Sequence, residues 1–152
     1  MTASSGRAFD SRALDGKVWV VDFIYTNCPG PCPRMTSQMH RLERRVSRDS
    51  DVRLVSVSVD PQHDTPQVLD EFAHRFGGPS QQWTFLTGSS ATVHLLAYQT
   101  FHVGDVIGKM DHSTKFALVD KRGNIRGYYS TFDTDGMSSL LKDLAALRNA
   151  SS

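Results

Sequence analysis

The chain has 152 residues, 39% hydrophobic and 22% charged, enough for one globular domain with a buried core. Its 17 basic and 16 acidic side chains leave a net charge of +1, which argues against electrostatic binding of nucleic acid. No run approaches the roughly 20 apolar residues of a bilayer span and no signal peptide is legible, so a soluble chain is expected.

Residues 1–10 are rich in Ser, Thr, Ala and Gly without apolar periodicity, and are expected as a flexible lead-in to a core over about 16–148. Lys17–Tyr25 is a near-continuous β-branched and aromatic run, the pattern of a strand buried on both faces. Met35, Met39, Leu42 and Val46 recur at helical spacing from Pro33 to Arg48, and the prolines around Cys32 set the helix start at or just after it. Val52–Asp60 is a second strand. Asp64 or Thr65 is expected to cap a helix with Pro66 in its first turn, ended by Gly77-Gly78. A short strand at Trp83–Leu86 precedes a third helix, about Ala91–Phe101, and a glycine-containing loop over Val103–Asp111. Thr114–Asp120 and Ile125–Tyr129 read as a hairpin across Lys121-Arg122-Gly123-Asn124, and Asp135–Leu147 as a closing amphipathic helix. The order β-α-β-α-β-α-β-β-α predicts one α/β domain of thioredoxin-like architecture, a central mixed sheet flanked by helices.

Cys28 and Cys32 are the only cysteines. A bridge between them closes so small a loop that its stabilising effect is slight, so the pair is expected to do chemistry. They sit between a buried strand and a helix N-terminus, where backbone N–H groups and the helix dipole stabilise a thiolate. A thiolate is both a nucleophile and a metal ligand, and two readings follow: a redox-active pair, or a metal site. Thioredoxin-type dithiols are separated by two residues; here there are three. Thioredoxin-like enzymes also carry a cis-proline facing the cysteines. The equivalent stretch here, Asp111-His112-Ser113-Thr114, has no proline and offers His112 instead. In this fold His112 is expected to face Cys28 and Cys32. Two sulfurs and one imidazole form a soft set, suited to three-coordinate Cu(I) or, with an added ligand, Cu(II). Zinc suits it less well, because it would keep an open fourth position.

Asp22–Met35 (DFIYTNCPGPCPRM), Ser58–Pro66 (SVDPQHDTP), Trp83–Gly88 (WTFLTG) and Asp111–Asp120 (DHSTKFALVD) together resemble the Sco/SenC copper chaperones, in order over nearly the whole chain. The resemblance implies a thioredoxin fold and one copper held by Cys28, Cys32 and His112. It implies a metallochaperone rather than an enzyme, acting on subunit II of cytochrome c oxidase or another copper-donating or -accepting protein. The activity implied is copper delivery to the oxidase's binuclear site, thiol reduction, or both. It further implies an extracytoplasmic location, at the bacterial periplasmic face or in the mitochondrial intermembrane space, through a tether absent from this chain. A monomer is expected. The loop departs from many members: Pro29-Gly30-Pro31 stands where they carry an acidic and an apolar residue.

Other residues weigh less. Asp60, at the C-terminal edge of the second strand, and Asp111 are candidates to support the site, and Met110 for a transient copper contact. Met35, Met39, Trp19 and Trp83 are expected in the core, and His40, His63, His74, His94 and His102 as surface or core residues. Asp22 lies in a buried strand below the cysteines and is expected to be a hydrogen-bonded structural carboxylate. Two alternatives use the same cysteines without stable metal: a thiol-disulfide oxidoreductase, and a thiol peroxidase with Thr26 and Arg34 polarising the peroxide.

Overall fold

The structure, a computed structural model, describes residues 1–27, 31–46, 49–101, 115–130 and 134–149; the side chains of residues 31, 32 and 134 lie outside that description. Among the described residues six strands form one sheet in the order β1-β4-β3-β2-β5-β6. Its centre is β2 (Val18–Ile24), paired in parallel with β3 (Val52–Ser58), which pairs in parallel with β4 (Trp83–Thr87). On the other side β2 meets β5 (Lys115–Val119) antiparallel, and β5 forms a hairpin with β6 (Ile125–Ser130). The described residues also form four α-helices: α1 (Pro31–Val46), α2 (Pro66–Arg75), α3 (Ser90–His94) and α4 (Thr134–Asn149). This is the mixed α/β architecture expected from the order of elements.

Because side chains alternate across a strand, β2 feeds two cores. Val18, Val20 and Ile24 join Met35, Met39 and Leu42 of α1, Leu69 and Phe72 of α2, and Leu140 and Leu144 of α4. Val21 and Phe23 face the opposite side, with Val55, Val57, Leu86, Ala97 and Phe101. The helical spacing in α1 thus encodes a real buried stripe. Met35 and Met39 are fully buried, as expected, and so is Trp83; Trp19 is half-buried, edge-on to Phe101.

Not every element matches its sequence reading. Residues 1–10, expected as a lead-in, pair with the sheet. Thr2–Ala3 form β1, antiparallel to Leu86–Thr87 of β4, Thr2 bridges to Ala8, and Ser4 N–H donates to Phe85 O at 2.9 Å. A two-residue strand has no periodicity to read; main-chain pairing at a sheet edge creates it. The third helix continues from α3 as a π-helical segment, Leu95–Thr100. At α2 the expected cap is present: of the two candidates it is Thr65, its side chain accepting from Val68 N–H, and Asp64 is employed elsewhere. The loop expected over Val103–Asp111 lies outside the described residues.

Helix α2 ends in a Schellman turn: Gly78 N–H donates to Ala73 O and Gly77 N–H to His74 O, with Gly77 at φ +90°. A Cβ on Gly77 would stand 2.6 Å from the ring of His40, which stacks on Trp83. Gly77→Ala is therefore expected to destabilise the fold by about 1–2 kcal/mol from the left-handed backbone alone. Urea unfolding would check this; an unchanged midpoint would show that the turn relaxes without cost.

Candidate functional site

The cysteine turn leaves the sheet at the C-terminal end of β2. Ile24 pairs with Ser58, so β2 and β3 end side by side, and Val59 N–H still donates to Ile24 O at 2.8 Å. Helix α1 starts at Pro31, one residue before the earliest start the prolines implied, so Cys32 is its second residue. β5 runs antiparallel to β2, with Val21 opposite Ala117, so its first residue, Lys115, lies at the edge where β2 ends. The chain therefore enters α1, leaves β3 and enters β5 at one sheet edge. Cys28, Met110, Asp111 and His112 lie outside the described residues, as does His102. Among the described residues no group of three or more His, Cys, Asp or Glu side chains is placed to hold a metal ion.

Asp60 follows β3 on this edge, half-buried. Its backbone serves the turn: the carbonyl accepts from His63 and Asp64 N–H, and its own N–H donates to Ser58 Oγ. Of the other histidines, His63, His74 and His94 are exposed and His40 packs beside Trp83.

Sequence reasoning missed the role of Asp64. Its carboxylate is fully buried, accepting from Thr26 N–H (3.0 Å), Thr26 Oγ1 (2.5 Å) and Ser58 Oγ (2.7 Å). The available signal was the pair of cap-competent residues before Pro66, since only one can cap. The Thr26 hydroxyl is thereby given to Asp64, not held in reserve to polarise a peroxide.

Below the turn lies Asp22, also fully buried. Ser56 Oγ donates to its Oδ1 at 2.5 Å, and Trp83 Nε1–H donates to Ser56 Oγ at 3.1 Å. Its Oδ2 has no hydrogen-bond partner among the described residues. Burial raises the Asp22 pKa to about 7, against the opposing pull of the Ser56 hydrogen bond. The expected hydrogen-bonded carboxylate is thus present, but half-satisfied and poised to carry a proton at neutral pH.

The SCO1/SenC family model matches residues 1–147. The chain belongs to the SCO1/SenC family. A curated relative is the SCO1 protein homolog of Bacillus subtilis (strain 168), 31% identical over 91% of this chain and 75% of that protein. Among solved structures, BsSco aligns with TM-score 0.81 at 29% identity over 99% of this chain and 91% of that one; it is described as a member of the Sco family of cytochrome c oxidase assembly proteins with a disulfide switch. Copper-bound ScoI of Bradyrhizobium japonicum shares the fold, with TM-score 0.76 at 24% identity, covering 96% of this chain and 94% of its own. The thioredoxin-like reading of this SCO1/SenC chain therefore holds. Among its described residues no helix is long and apolar enough to cross a membrane.

Proposed function

We propose that this chain binds one copper ion through Cys28, Cys32 and His112 and serves assembly of the binuclear copper site of cytochrome c oxidase. The observation that carries the reading is family membership over nearly the whole chain, matched by the soft donors the sequence supplies. The sheet edge supports it: Cys32 lies in the first turn of α1 there, and two residues separate His112 from the first residue of β5 at the same edge. Copper-bound ScoI and the assembly role given to BsSco's family point the same way. Two thiolates and an imidazole suit copper in either valence. Asp60 stands on the same edge as a further oxygen for Cu(II), and Asp111 adjoins His112 as a hydrogen-bond partner for its ring. The partner is subunit II of the oxidase or another copper carrier. The working location is extracytoplasmic.

A second reading draws on the disulfide switch of BsSco. In it the dithiol of Cys28 and Cys32 closes to a disulfide while a partner's disulfide opens to two thiols, two electrons and two protons passing to the partner. Both activities can use one site in succession.

Titration of the reduced protein with Cu(I) against a competing chelator tests the copper reading. The expected result is one copper per chain, with His112→Ala weakening affinity more than about tenfold, the scale already reached when only a ligand's hydrogen-bond partner is removed. Equal affinity in the folded variant would sink the assignment. Efficient thiol exchange indifferent to His112 would favour the second reading.

A further inference from the structure

Asp64 has a buried carboxylate, three inward donors and no role in capping its helix. We infer that Asp64 is a positioning residue that locks the entry to the cysteine turn onto the exit of β3. The inference rests on the reading of Cys28 and Cys32 as the working thiols.

The connections are specific. Thr26 stands two residues before Cys28 and two beyond the last paired residue of β2, where the sheet no longer fixes the chain. Its N–H and hydroxyl both donate to Asp64, one to each oxygen. On the other side Ser58 Oγ donates to Asp64 Oδ2 and accepts from Asp60 N–H. Asp64 N–H donates to Asp60 O at 2.8 Å, closing the ring. One side chain thereby ties together the two chain segments that leave the sheet at the site edge.

A carboxylate suits this task because it only accepts, with room for about four donors. An asparagine would present its NH2 to one of these donors. The carboxylate is buried, and what makes that tolerable is its three hydrogen bonds. A general turn-stabilising role would need none of the reach to Thr26, 38 residues away. The consequence is preorganisation: with Thr26 held, the chain leading to Cys28 starts from a fixed point, which lowers the ordering cost when the two thiols close on copper or on each other.

Four proteins separate the possibilities: wild type, Asp64→Asn, Thr26→Val and Thr26→Ser. Each is measured for Cu(I) affinity by chelator competition, for the Cys28–Cys32 disulfide equilibrium in glutathione buffers, and for urea stability. Asp64→Asn and Thr26→Val are expected to lower both the copper affinity and the disulfide formation constant by about tenfold, the typical effect of losing a partner that orients a ligand. Thr26→Ser, which keeps the hydroxyl, is expected to restore both to within about twofold of wild type. Folded Asp64→Asn and Thr26→Val proteins with both quantities unchanged would overturn the inference, even if their stability fell. If Asp64→Asn does not fold, the Val and Ser variants of Thr26 decide. Wild-type protein that takes up no Cu(I) overturns the copper reading instead, and the glutathione equilibrium still decides the role of Asp64.

Discussion

Asp22→Asn is expected to abolish a loss of stability that the wild-type protein suffers between pH 5 and pH 8. Asp22 is fully buried, and burial raises its pKa to about 7. In the unfolded chain an aspartate titrates near its ordinary value of about 3.9. Between those values the folded state binds a proton that the unfolded state has released, so stability falls as pH rises. The contribution is intact below the unfolded pKa, declines through the window from about 4 to 7, and is flat above it. At 1.36 kcal/mol per pH unit the full loss is on the order of 4 kcal/mol, of which about 2–3 kcal/mol falls between pH 5 and 8. An asparagine keeps an acceptor for Ser56 Oγ and carries no charge to bury. The variant should therefore gain on wild type as the pH rises. Urea unfolding of both proteins at pH 5 and pH 8 measures the double difference, in which other titrating groups cancel. Parallel losses in the two proteins would mean that Asp22 is solvated or paired well enough to ionise normally.

Trp83→Ala is expected to destabilise the protein by about 3–5 kcal/mol. The indole is fully buried in β4, its ring centroid 4.6 Å from that of Phe85, and the His40 ring stacks on its outer side. Its Nε1–H also feeds Ser56 Oγ, which in turn donates to Asp22. Truncation opens a cavity and removes one donor from a buried polar chain. Trp83→Phe separates the two effects, since it keeps most of the apolar volume and loses only the N–H. Its cost should be about 1 kcal/mol, the net value of one hydrogen bond. Thermal and urea unfolding of both variants checks the ranking. Equal costs would assign the effect to the hydrogen bond, and a negligible cost for Trp83→Ala would show that the core collapses around the gap.

Both expectations depend on contacts that cannot be seen along the chain. Asp22, Ser56 and Trp83 lie on three different strands, 34 and 27 residues apart at their two hydrogen bonds. Sequence reading placed Asp22 in a buried strand below the cysteines and expected a hydrogen-bonded acid. It could not assign Ser56 as donor, because a serine in an alternating strand is equally suited to either face until the register with β2 is known. The parallel register Asp22↔Ser56 settles it.

Local chemistry made other parts legible. The apolar period of α1, the β-branched runs of β2 and β3, Gly77 at a helix end and the proline that opens α2 each act through the backbone of their own neighbourhood, so residue type and spacing suffice. The candidate ligands belong here too: two thiols with three residues between them at a helix start, and a histidine where a thioredoxin carries proline, are chemical statements about donor atoms. What the tertiary structure alone decided are the long-range partnerships. The first residues become an edge strand because β4 leaves unpaired main-chain groups for them. Asp64 serves Thr26 and not its own helix because folding brings the ends of β2 and β3 together. The sequence by itself determined which atoms are the candidates to bind copper or exchange electrons; the fold decided which buried carboxylates lie at the sheet end that leads to them, because a buried carboxylate is tolerable only where distant strands deliver its hydrogen bonds.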